Sequence, residues 1–180
     1  MNLIAALLYD PAIAVTKSTS TLLALTAIDT TNVRLTFTVP SHGKVCVVIC
    51  VTNATSAALQ PLLMLGVLQG STVKGRVVPM ATLSSSTITT YASKQYAKFI
   101  VSGLTPGVVL TWDAAYGVEA VASSSNIAYG GPNDATSNNA WGGLRFEIYD
   151  PAPIPYNADG SMSASEDLMA YSANTIRTDS

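Results

Sequence analysis

Along Val33-Arg34-Leu35-Thr36-Phe37-Thr38-Val39, apolar and polar side chains alternate without a break. Successive side chains of an extended chain point to opposite faces. Val33, Leu35, Phe37 and Val39 therefore form an apolar face, and Arg34, Thr36 and Thr38 a wet one. Pro40, Ser41, His42 and Gly43 follow with turn chemistry, and the next run, Lys44 to Val51, is expected to return as the second strand of a hairpin. Further strands are predicted over Thr21–Ile28, Leu62–Gln69, Thr72–Val78, Thr87–Tyr91, Tyr96–Val101, Val108–Tyr116 and Leu144–Tyr149. Helical periodicity is almost absent. Short strands at fairly regular spacing, with Gly and Pro between them, predict an all-β chain folded as an antiparallel, jelly-roll-like β-sandwich.

Two runs depart from alternation. Val45 to Val51 and Leu62 to Leu68 are apolar on both faces, whereas a sandwich strand ordinarily has one wet face. Their second faces need cover, from a chain arm, from a neighbouring subunit or from the chain's own loops. Val45, Val47, Ile49, Val51, Leu62 and Met64 are therefore the candidate packing residues, and packing against other subunits is the expected mode of action.

Residues 1–11 are apolar up to Tyr9-Asp10-Pro11 and lack the basic start of a signal peptide; they read as an N-terminal arm or edge strand. Residues 12–149 hold the predicted sandwich. Pro151, Pro153 and Pro155 then open a C-terminal tail, 150–180, with a capping-box pattern at Ser163–Glu166 ahead of a short predicted helix, Ser165–Ala173. Deleting 1–10 or 150–180 is expected to leave the sandwich folded. The Gly103-Leu104-Thr105-Pro106-Gly107 turn also occurs in fibronectin type III modules, but the strands here span more than a module of about 100 residues.

Composition narrows function more than fold. Hydrophobic residues make up 48% of the 180 and charged residues only 11%, so Ser, Thr, Ala and Asn must cover much of the surface. The net charge is −2 and the nine basic residues are scattered, which argues against nucleic acid as a partner. The apolar runs are too short for a membrane-spanning helix. Cys46 and Cys50 share one face of a strand about 13 Å apart, too far to bridge, and read as reduced core residues made in a reducing compartment. The single histidine, His42, reads as a solvated turn residue, and no Gly-x-Ser-x-Gly elbow, phosphate loop or zinc-ligand set accompanies it. No catalytic residues, metal or cofactor are expected.

One segment has recognition chemistry. Between Tyr129 and Gly143, Asn133, Asp134, Asn138 and Asn139 offer oxygen ligands for sugar hydroxyls or calcium, and Trp141 offers a stacking surface. The other reading of the same residues is an Asn/Gly-rich hairpin loop that Trp141 anchors to the sandwich.

The phrasing of Leu3 to Pro11, Ile28 to Pro40, Leu65 to Gly70, Gly103 to Gly107, Leu110 to Tyr116 and Tyr129 to Pro132 resembles that of jelly-roll structural proteins of tailed bacteriophages, over roughly residues 3–149. The resemblance implies a virion component, a homotrimer bound to the major capsid protein or other virion proteins. It would be either a capsid cement (decoration) subunit or a head or tail fibre module that binds a receptor or glycan. It is a resemblance to a scaffold and transfers no functional residue.

Overall fold

In the computed structural model the chain forms eleven strands: β1 (Asn2–Tyr9), β2 (Val15–Lys17), β3 (Thr26–Ala27), β4 (Arg34–Thr38), β5 (Val45–Thr55), β6 (Leu63–Gln69), β7 (Thr72–Val77), β8 (Tyr91–Val101), β9 (Val109–Val118), β10 (Ser125–Tyr129) and β11 (Leu144–Asp150). The structure describes residues 1–17, 24–55, 63–78, 91–118, 125–131 and 141–151, and none of these is helical. The strands form two antiparallel sheets facing each other as a β-sandwich, as the alternation predicts.

Each sheet is organised by one long strand. In the first, β5 pairs along its whole length with β8, from Val45↔Val101 to Thr55↔Tyr91. Its other edge is divided between β11 (Cys46↔Tyr149 to Cys50↔Arg145) and β10 (Thr52↔Ala128 to Thr55↔Ser125). Strand β1 adds to β11 and β2 to β10. In the second sheet β9 takes that central place, with β6 along one edge, β4 and β3 sharing the other, and β7 outside β6.

The core fills from the alternating faces. Val33, Leu35, Phe37 and Val39 point inward to meet Val45, Val47, Ile49 and Val51, and all eight are buried. The ring of Phe37 meets Trp112 edge-on at 4.9 Å between centroids, a geometry that aromatic quadrupoles favour.

The predicted hairpin between residues 33–39 and 44–51 does not form. Strand β4 pairs with β9 in one sheet and β5 lies in the other. The Pro40–Gly43 turn is a corner between the layers. Val39 N–H donates to Val108 O, Gly107 N–H to Val39 O, and Leu104 N–H to Gly43 O. A side chain at Gly43 would sit 2.5 Å from the Leu104 carbonyl oxygen, on a backbone with φ +67°. The corner is thus tied to the 102–108 loop and cannot close a hairpin of its own.

The N-terminal segment is also an integral strand. Residues 2–9 pair with β11, and Ile4, Ala5, Leu7 and Tyr9 pack on the core. Of the two readings of residues 1–11, arm or edge strand, the structure has the edge strand, and deletion of residues 1–10 would expose the β11 edge and uncover core side chains. Strands β2 and β10 have no counterpart among the predicted strands, and β8 begins five residues before its predicted start at Tyr96. Leu62, most of Thr87–Tyr91 and the tail beyond Pro151, including the predicted helix, lie outside the described residues.

Candidate interaction surface

The second faces of the two apolar strands are covered by the chain itself. On β6 the inward side chains are Leu63, Leu65 and Val67. The outward ones, Met64 and Leu68, join Leu25, Ala27 and Ala115 in a small separate cluster. The segment at residues 24–27 thus supplies the cover.

On β5 the outward residues are Cys46, Val48, Cys50 and Thr52, and the pairing registers set them in rows across the sheet. Leu3, Tyr149, Cys46 and Ile100 form one row, Ala6, Glu147, Val48 and Lys98 the next, and Leu8, Arg145, Cys50 and Tyr96 a third. Small side chains occupy the centre and long ones the flanks, an arrangement in which long stems can cover a centre while their polar ends stay wet. Cys46 and Val48 are buried. No subunit is needed to cover either strand, which removes that physical argument for oligomerisation.

What this face presents to solvent is the flanking side chains. Tyr96 and Ile100 are each 54% exposed, Leu3 56% and Leu8 68%. Between them Glu147 accepts from Arg145 Nη2 at 2.7 Å and Nε at 3.2 Å, and from the Tyr149 hydroxyl at 2.9 Å. Donation to the carboxylate, with a smaller effect of burial, holds the Tyr149 phenol above its ordinary pKa. Burial pushes the Cys46 thiol up, against a smaller downward pull from Lys98, so this cysteine, buried on the outward face of β5, is not a reactive thiol.

The recognition-loop residues Asn133, Asp134, Asn138 and Asn139 lie outside the described residues, but the stem of their loop is defined. Gly130 N–H donates to Gly142 O and Trp141 N–H to Gly130 O, both at 2.9 Å. The Trp141 carbonyl also accepts from Lys94 Nζ at 2.8 Å and Thr52 Oγ1 at 3.1 Å. Trp141 is half-buried, and its indole nitrogen is inaccessible and makes no hydrogen bond among the described residues. Its backbone N–H and carbonyl thus close the base of the loop.

His42 is not a free turn residue. Its Nε2 lies 2.6 Å from Asp150 Oδ1, and Nδ1 accepts from Lys44 N–H at 3.2 Å, which puts the ring proton on Nε2. This pair ties the interlayer corner to the end of β11. Its members are 108 residues apart, so no local pattern could have found it.

Among the described residues the buried acid is Asp113, 3% exposed on the outer face of β9 and gripped by Arg34 through Nε at 2.9 Å and Nη2 at 3.1 Å. Fork-to-carboxylate bonding of this kind is structural in character. No group of three or more His, Cys, Asp or Glu suited to a metal occurs among the described residues. Comparison with known proteins finds no matching family model, no matching curated protein and no matching solved structure.

Proposed function

We propose that this chain is a non-enzymatic structural protein of a tailed-phage virion, a capsid cement (decoration) subunit that stabilises the shell by packing across subunit boundaries. The observation that carries this reading is the set of exposed apolar side chains at the two edges of the outer face of the first sheet, Leu3 and Leu8 on β1 and Tyr96 and Ile100 on β8, on a chain in which only 11% of residues are charged. Binding surfaces are enriched in aromatic and depleted in charged residues at their centres, and exposed apolar groups on one face favour association. The partners in this reading are copies of the same chain and the major capsid protein, and the place of action is the virion.

The fibre reading, a module binding a receptor or glycan through the loop at 132–143, draws less support because the Trp141 indole nitrogen is buried at the loop stem. The two are separated by adding the full chain to purified phage shells that lack it. Cement predicts saturable co-sedimentation and a higher temperature of shell disruption. If shells neither bind the chain nor gain stability, and a glycan array gives a signal that Trp141→Ala abolishes, the fibre reading replaces it.

A further inference from the structure

We propose that the edge of β1 that is unbonded among the described residues docks a second copy of this chain, two β1 strands pairing antiparallel about a twofold axis and joining two first sheets into one. The inference does not depend on the cement reading. One edge of β1 is bonded to β11, and among the described residues no backbone group of residues 2–9 is bonded on the other edge.

Exposed sheet edges in monomeric proteins carry charges, are very short or are covered, because an unpaired ladder otherwise recruits another strand. The other edges of this sandwich follow that rule. Strand β2 has three residues and ends in Lys17, β3 has two, β4 carries Arg34, β7 carries Lys74 and Arg76, and β8 carries Lys94 and Lys98. Strand β1 has eight residues with neither charge nor proline. Its one irregularity is a bulge between Leu3 and Ala5, which leaves Ala5 to Tyr9 in regular register.

The identity of the occupant follows from how the exposed side chains are placed. Leu3 and Leu8 lie on the same outward face, opposite Tyr149 and Arg145, near the two ends of the strand. An antiparallel pair about a twofold axis exchanges ends, so Leu3 of each copy comes beside Leu8 of the other. Four half-exposed leucines then form two apolar contacts, with the small Ala5 and Ala6 near the axis. An uncharged strand meets its own copy without opposing like charges, and the isologous arrangement closes at two chains.

Light scattering on the size-fractionated full chain tests this against Leu3→Lys/Leu8→Lys, whose substituted side chains stay in water. The expected result is a wild-type mass that is an even multiple of the chain mass, halved in the double-lysine variant at unchanged circular dichroism. Mixing that variant with Leu3→Glu/Leu8→Glu should restore the wild-type mass, because each leucine contact becomes an opposite-charge pair. A wild-type monomer, a three-chain mass, a lysine variant of unchanged mass, or a mixture that stays dissociated would each overturn the pairing. A monomer or trimer that still binds shells would leave the cement reading standing. Shell binding lost with the even-numbered mass retained would overturn that reading alone.

Discussion

Gly66 lies in the middle of β6 on its outward face, where a two-faced apolar strand meets its cover, and Gly66→Ala tests whether that cover is as close as the structure has it. A β-carbon there would lie 2.5 Å from the Gly75 carbonyl oxygen, 2.8 Å from Leu25 Cδ1 and 3.0 Å from Arg76 Cβ. The leucine methyl can rotate away. The other two contacts belong to the backbone and first side-chain atom of β7, so relief requires β7 to shift against a ladder whose register already changes between Val67 and Leu68. Forcing a methyl into such a site costs about 1–3 kcal/mol, while replacing glycine restricts the unfolded chain and returns about 0.4–1 kcal/mol. The steric cost wins, for a net destabilisation of about 1–2 kcal/mol. For a chain of this size that lowers Tm by roughly 2–8 °C. Thermal melts and urea titrations would measure it, and a Tm at or above wild type would refute the close approach. A double-mutant cycle sharpens the test. Leu25→Ala alone should cost about 2–4 kcal/mol, but less in the Gly66→Ala background, where it also relieves a clash. Strict additivity would mean that the new methyl never meets Leu25.

Thiol titration of the native chain should leave Cys46 unreactive, since burial keeps its thiol protonated; at most one equivalent reacts natively and two after denaturation, and two native equivalents would contradict the packing of β5. Burial first, and then the charges of Asp29, Tyr9 and Tyr116, push the Tyr129 phenol up to about 12 from an ordinary value of 10.0. A folded-state value above the unfolded one means that this contribution to stability is complete below pH 10 and disappears as pH rises through about 12. Tyr129→Phe should therefore flatten the fall in stability across that window, and an unchanged alkaline profile would refute the assignment. Arg34→Met leaves the Asp113 carboxylate buried without its fork and should lower the urea midpoint, with Arg34→Lys falling between the two because it restores charge but not bidentate geometry. Equal midpoints for all three proteins would show that the pair is not holding β4 to β9.

The sequence by itself determined the class of fold, the position of most strands and the direction in which their side chains point. Val33, Leu35, Phe37 and Val39 could be assigned to the core because period-two alternation is local, and the Gly- and Pro-bearing turns marked strand ends within a few residues. It also showed that Val45–Val51 and the run from Leu62 were unusual. Only the tertiary structure decided the partners. Alternation says which side of a strand is buried and not which strand lies beside it, so β4 and β5 looked like a hairpin although one pairs with β9 and the other with β8, β10 and β11. For the same reason β1 read equally as an arm or an edge strand, and β2 and β10, three and five residues long, left too little pattern to detect. The long side chains that flank the buried Cys46 and Val48, on β8 and β11, are brought alongside by register. Register is a joint property of two strands far apart in the chain, and no single stretch of sequence contains it.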